Sequence, residues 1–255
     1  MEVTSPVSNS EKYAFKEFTL EAYATYLERI KEGGYTFAFY HNFDRDTKFC
    51  LLRHDVDFSP MRALKMARLE AAKDIYSTYF IQPHCRFYHP LEKKVFDIFK
   101  EIKAMGHELA LHFDFAFYEG LNEENIGDKL TLEKSFLENF FETEINVFSF
   151  HNPNEWAISW GEWEAAGMIN TYADYFREQV RYGSDSNGIW RNESFNQIID
   201  LHAERLQLLT HPVWWTEEVS SPKERALSCI EGRAKENLES QLKIWEKWGR
   251  DFIDW

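Results

Sequence analysis

The stretch Phe49-Cys50-Leu51-Leu52-Arg53-His54-Asp55-Val56-Asp57-Phe58-Ser59-Pro60 passes from an apolar run into clustered charge and then into a helix start. Phe49 to Leu52 predicts a short buried strand, ended by the charged residues that follow. Ser59 followed by Pro60 reads as an N-cap with proline in the first helical position, and predicts a helix through about Lys73 with Leu64, Ala67 and Ala71 facing inward. A strand that ends in charge and feeds a helix is the opening of a β/α unit. Charge concentrated at that junction suggests a site.

The same alternation continues on both sides. Upstream, Leu20, Tyr23, Tyr26, Leu27 and Ile30 recur at helical spacing within Phe18 to Lys31, Gly33 and Gly34 stop the helix, and Tyr35 to Tyr40 reads as a strand. Downstream, Ile75 to Ile81 predicts a strand. Pro90 opens a helix carrying Val95, Phe96, Phe99 and Ile102, Gly106 lies past its end, and His107 to Phe113 reads as the next strand. Thr131 to Phe141 predicts a helix and Ile145 to Phe150 a strand. Units of about 30 residues imply a parallel sheet wrapped by helices, and a closed or nearly closed α/β barrel suits a chain of 255 residues. After Trp156 the pattern weakens, leaving strands near Ile169 to Tyr172 and Leu206 to Thr210 and a C-terminal helix over about 222–248. No repeat or linker marks a second unit, so 1–255 is expected to form one domain, with 1–17 as a polar lead-in.

Composition narrows the function classes. Apolar residues make up 44% and charged residues 28%, which excludes collagenous, low-complexity and disulfide-scaffold chains. The 29 basic and 43 acidic residues give a net charge of −14, a field that repels nucleic acid and anionic lipid. Neither is expected as a partner. Cys50, Cys85 and Cys229 are too scattered for a disulfide framework or a metal knuckle, which suits a reducing compartment. Met1 to Lys12 lacks the apolar core of a signal peptide, and no apolar run is long enough to cross a bilayer, so the expected location is cytoplasmic. Trp156, Trp160, Trp163, Trp190, Trp214 and Trp215 crowd the second half, rings that build cores and also stack on sugars.

In a parallel barrel the carboxyl ends of the strands share one face, so polar residues just after each apolar run converge. Those residues are His54, Asp55 and Asp57, then His112 and Asp114, then His151, then His211. Asp55 and Asp57 are two apart and point the same way in extended backbone. Two carboxylates on one pocket repel unless a cation or a proton intervenes, a pairing that suits a metal ligand beside a general base. A carboxylate ahead of Ser59-Pro60 also serves as a helix cap. Neutral imidazole with carboxylate oxygen, as at His112 and Asp114, is a normal shell for zinc. Taken singly, His41, His54, His84, His89, His107 and His202 read as surface or core residues.

Four places together resemble the polysaccharide deacetylases of carbohydrate esterase family 4, whose fold is a distorted β/α barrel of about seven strands. Arg53-His54-Asp55-Val56-Asp57 is similar to the family's first motif, in which the first acid is the general base and the second a metal ligand. Gly106-His107-Glu108-Leu109-Ala110-Leu111-His112 resembles the entry to the second motif and implies His112 as a ligand. Phe150-His151-Asn152-Pro153 stands where an arginine and proline motif lines the groove. Leu208-Leu209-Thr210-His211-Pro212 resembles the late motif whose histidine acts on the leaving group.

The chain departs from this pattern at Ala116, which occupies the place of the family's second histidine ligand. His151, Asp114 and His107 are the candidates to replace it. His107 begins its strand and falls at the far end of the barrel, and an acid at 114 serves as readily to hold an imidazole N–H. His151 ends the next strand, and it is the expected third ligand.

The resemblance implies a divalent-metal-dependent hydrolase, with zinc the expected ion, removing an N-acyl group such as acetyl or formyl from an amino sugar or sugar conjugate. Asp57, His112 and His151 are expected to hold the metal, Asp55 to act as base and His211 as acid. Arg53, Asn152 and Trp214 are expected among the substrate contacts, Arg53 also fixing the charge of Asp55. A cytoplasmic chain would meet nucleotide sugars, lipid-linked sugars or soluble saccharides before cell-wall polymer. Two other readings remain open at this level: a deacetylase-like saccharide-binding protein without catalysis, and a barrel metallohydrolase of a non-sugar amide, phosphoester or cyclic ureide.

Overall fold

The computed structural model describes residues 7–250. Residues 1–6 of the expected lead-in, and 251–255 of the expected domain, lie outside them. Among the described residues, nine strands form one sheet: β1 Thr36–Ala38, β2 Phe49–Val56, β3 Thr78–Ile81, β4 Glu108–Asp114, β5 Val147–His151, β6 Glu164–Ala165, β7 Met168–Asn170, β8 Arg181–Ser184 and β9 Arg205–Thr210. Their order is β6-β7-β5-β4-β3-β2-β9-β8, with β1 paired to β2, and every pairing is parallel except β6 with β7. The architecture is a distorted β/α barrel. Its wall is open between β8 and β6, the two ends of the hydrogen-bonded order.

The period of two along β2 sets both layers of the core. Phe49 and Leu51 join Phe80, Ala110 and Val147 inside the barrel, while Cys50 and Leu52 face outward onto Tyr23, Leu27 and Met66 of the helices Leu20–Glu32 and Pro60–Ala71. Extending this alternation sends Arg53, Asp55 and Asp57 inward and His54 and Val56 outward. The strand therefore runs four residues beyond the expected end at Leu52, with all eight of its residues buried. Charge does not terminate it because each charge has a partner on its own side: Arg53 meets Asp55 within the barrel, and outward-facing His54 meets Glu70.

Glu70 anchors the outer layer. This fully buried carboxylate accepts hydrogen bonds from Tyr23 Oη (2.5 Å), Ser77 Oγ (2.6 Å) and Tyr79 Oη (3.0 Å), and lies 2.9 Å from His54 Nε2. His54 Nδ1 reaches Thr210 Oγ1. The network thus ties the helix Pro60–Ala71 to β2, β3 and β9, next to Asp55 and His211.

Ser59 caps its helix as expected, its Oγ accepting from Arg62 N at 3.3 Å with Pro60 in the first turn. The helix expected from Pro90 starts later, at Lys93, and the one expected from Thr131 starts earlier, at Ile126. Between Asn154 and Pro222 the chain forms short elements that periodicity does not resolve: helices Glu155–Ser159, Asp174–Gln179 and Phe195–Asp200, and strands β6 and β8. The C-terminal helix spans Pro222–Lys247. Among the described residues, no helix is long and apolar enough to cross a membrane.

Candidate active site

Parallel register brings the carboxyl ends of β2, β4, β5 and β9 to one face. Arg53 and His54 pair with Leu209 and Thr210, so Asp55 and His211 emerge on neighbouring strands; His112 pairs with Ser149, and Asp114 with His151. The face opens into a cleft of about 1060 Å³ lined by Asp55, Asp57, His112, His151, His211 and, at its rim, Asn152 and Trp214.

Three of these side chains form a triangle. Asp57 Oδ1 lies 3.1 Å from His112 Nε2 and 3.3 Å from His151 Nδ1, and the two nitrogens are 3.2 Å apart. Three ligands bonded tetrahedrally at about 2.0 Å stand about 3.3 Å from one another, so the spacing fits a zinc-sized ion. Ser149 Oγ, 2.7 Å from His112 Nδ1, takes the other ring nitrogen and leaves Nε2 free to point at the triangle's centre. Asp57 Oδ1 is buried and receives no well-aligned hydrogen bond, an arrangement that a cation would satisfy. The donor set of one carboxylate and two imidazoles suits a divalent ion.

The two other expected reacting groups flank the triangle. Asp55, 2% exposed, is held by Arg53 through Nε to Oδ1 (3.3 Å) and Nη2 to Oδ2 (2.7 Å). Burial alone would raise the Asp55 carboxyl, but the Arg53 guanidinium, with His112 and His211 nearby, holds it below the usual carboxylate range. Burial would also raise Asp57; His112 and His151 beside it, with His211, hold it well below the usual carboxylate range. His151 moves upward, burial notwithstanding, because Asp57 favours its charged form.

His211 is oriented by a residue that the sequence did not single out. Asp185, fully buried just past β8, accepts from His211 Nδ1 at 2.6 Å, from the His211 backbone N–H at 2.9 Å and from Trp215 Nε1 at 2.7 Å. Burial would lower the imidazole's pKa, but Asp185 outweighs it, with Asp57 and Asp55 adding to the effect, and pushes it up to about 9. His211 Nε2 faces the cleft, 3.8 Å from Asp57 Oδ2.

Arg53, expected among the substrate contacts, is 1% exposed and does not line this cleft. Its donors are taken up inside the barrel by Asp55 and by Thr171 Oγ1 at 2.9 Å. Its geometry matches the other expectation, of a partner for Asp55. Asp114 lines the cleft outside the triangle, accepting from Gln82 Nε2 and Ala116 N, both at 3.1 Å. His107 sits buried behind the sheet, its nitrogens 3.2 Å from Ser77 N and 3.0 Å from Ala67 O. Asn152 occupies the left-handed region at φ 47°, a strained turn directly after His151.

No protein-family model and no curated protein matches the chain. Solved structures do. A family 4 carbohydrate esterase from Bacillus anthracis is similar at 15% identity over 86% of this chain and 92% of its own, with a TM-score of 0.44. The chitin deacetylase of Colletotrichum lindemuthianum is similar at 12% identity over 74% and 84%, with a TM-score of 0.42. A family 4 pseudoenzyme from Bacillus anthracis is similar at 16% identity over 76% and 63%, with a TM-score of 0.41.

Proposed function

We propose that the protein is a divalent-metal-dependent amide hydrolase that removes an N-acyl group, acetyl or formyl, from an amino sugar or sugar conjugate. The observation that carries the reading is the Asp57-His112-His151 triangle set between two groups tuned in opposite directions: Asp55, favoured as carboxylate, and His211, favoured as imidazolium. Paired titratable groups pushed apart in this way are the usual mark of a base and an acid.

Asp57, His112 and His151 would hold the ion, for which zinc is proposed. When bound, such an ion polarises a carbonyl and lowers the pKa of water towards 7. The chain's own residues do the rest. Asp55, kept ionised by Arg53, accepts the proton of the attacking water as the new C–O bond forms. His211, kept protonated by Asp185, delivers its Nε2 proton to the amine nitrogen as the C–N bond breaks. The products are a carboxylic acid and a free amine. Asn152 and Trp214 at the rim contact the sugar.

Acetate and formate release from N-acylated amino sugars, with wild-type protein and with Asp55→Asn, tests this. Release by wild type that the variant loses by about 10² to 10⁴ supports the reading. No release from any N-acyl sugar by metal-loaded protein rejects it.

A further inference from the structure

From Arg29 to Arg233, every arginine except two places its side chain against a carboxylate, an amide or carbonyl oxygen, a hydroxyl or an aromatic ring. Among the described residues these two, Arg86 and Arg191, have no such partner, and neither does Arg250 at the end of the described chain; Arg86 and Arg191 both line the cleft that holds the Asp57-His112-His151 triangle. Both are exposed. In a chain of net charge −14, two guanidinium groups without any such partner in one cleft mark a place for an anion from outside.

Neither arginine hangs on an unanchored loop. Arg86 follows Cys85, whose Sγ donates to the Asp57 carbonyl at 3.1 Å. Arg191 follows Trp190, whose indole Nε1 donates to Glu17 at 2.7 Å and whose ring stacks on Phe18. Beyond Arg191 the cleft adjoins a second cavity of about 500 Å³, and Tyr182, Ser184, Ser186 and Arg191 line both. The groove therefore has room on both sides of Arg191.

We infer that the substrate is an N-acyl sugar bearing a phosphate or diphosphate, which Arg86 and Arg191 bind by charge-assisted hydrogen bonds while the acyl group lies at the triangle. Planar guanidinium is suited to phosphate oxygens, two at a time. The sugar and acyl parts of this inference rest on the function proposed above; the phosphate site rests on the two arginines alone.

The test is calorimetric binding of N-acetylglucosamine 1-phosphate, uridine diphosphate N-acetylglucosamine, neutral diacetylchitobiose and inorganic pyrophosphate. The proteins are wild type, Arg86→Gln, Arg191→Gln and, as control, Arg68→Gln, whose arginine pairs with Glu101 elsewhere. Wild type should bind a phosphorylated sugar at least tenfold more tightly than chitobiose. Arg86→Gln and Arg191→Gln should each lose about tenfold for phosphorylated ligands, with chitobiose affinity and thermal midpoint unchanged, and Arg68→Gln should match wild type. Tighter binding of the nucleotide sugar than of the sugar phosphate points to a diphosphate ester, the reverse to a monoester. Equal affinity for charged and neutral sugars, no binding of any phosphate including pyrophosphate, or a preference that survives both replacements overturns the inference. Acetate release is followed in parallel: arginine-dependent phosphate binding without release from any sugar removes the hydrolase reading and leaves the phosphate site standing.

Discussion

His151 Nδ1 stands 3.2 Å from His112 Nε2 although their backbones are not paired: His112 is in register with Ser149, and His151 with Asp114. The contact is diagonal across two parallel strands. Because side chains alternate, residues 112 and 114 of β4 and residues 149 and 151 of β5 share the inner face, and the longer reach of imidazole spans the offset. The diagonal brings an imidazole from the next strand within reach of both His112 and Asp57.

Metal affinity should therefore depend on three residues and not on the other histidines. Zinc titration of the purified protein should give one tight site. Asp57→Asn, His112→Ala and His151→Ala should each weaken it by two orders of magnitude or more, and Ser149→Ala by about tenfold through the loss of its bond to His112. His107→Ala should bind as wild type does. Undiminished affinity in His151→Ala would remove that residue from the ligand set.

Asp55 and Arg53 should separate into chemistry and support. Asp55→Asn should keep the metal and lose about 10² to 10⁴ in turnover, since an amide cannot take the water's proton. Arg53→Leu leaves Asp55 as a buried charge without its partner, and breaking a buried pair in this way costs about 3 to 5 kcal/mol, whereas the amide oxygen of Asp55→Asn can still accept from Arg53. Urea unfolding should show that loss in Arg53→Leu, and should show Asp55→Asn less affected. Equal destabilisation of both variants would count against the division of roles.

Much of this was legible in the stretch from Phe49 to Pro60, because period two and an N-cap are local signals. The strand's true end was not, since Arg53, His54 and Asp55 look like a terminus until Glu70 and the barrel interior supply their partners. Asp55, Asp57, His112, His151 and His211 converge on one cleft because each follows an apolar run, so that a strand reading alone places them on that face. Asp185 follows Arg181-Tyr182-Gly183-Ser184, a run with little apolar character, and its neighbours Ser186, Asn187 and Gly188 read as a turn. Only the pairing of β8 with β9 carries it to His211, 26 residues away. Arg53 is enclosed by the barrel wall, 1% exposed, and sequence shows its charge but not that enclosure.

Glu70 should be a stability residue with an acid signature. Burial would raise its carboxyl, but His54 and then His107 and Ser77 hold it below the usual value. A depressed folded pKa means stability that is fully present above the unfolded value, near 4.5, and is lost as pH falls through the folded one. Glu70→Gln should therefore cost most near neutral pH, about 3 kcal/mol for a broken buried network, with the gap to wild type narrowing in acid. Urea midpoints at pH 7 and pH 3.5 check this. A gap that widens in acid would contradict the assignment.

The Asp185-His211 pair gives the opposite sign. His211 is raised from about 6.5 to about 9, so the pair's contribution is fully present below the unfolded pKa and is lost as pH rises through 9. Such a shift corresponds to about 3 kcal/mol. In metal-depleted protein, where no cation competes for the cleft, the His211 ring resonances should titrate near pH 9, and Asp185→Asn should bring them back towards the ordinary histidine value. Asp185→Asn should be markedly less stable than wild type at pH 6, and the difference should shrink by pH 10, where wild-type His211 has also lost its charge. The functional consequence follows from the same proton. If His211 donates it to the leaving amine, the alkaline limb of turnover should move to lower pH in Asp185→Asn, and substrates with good leaving groups should be least affected by His211→Ala. An alkaline limb that stays in place while the ring resonances shift would separate the titration from the chemistry and leave Asp185 as an anchor for β8, β9 and Trp215 alone.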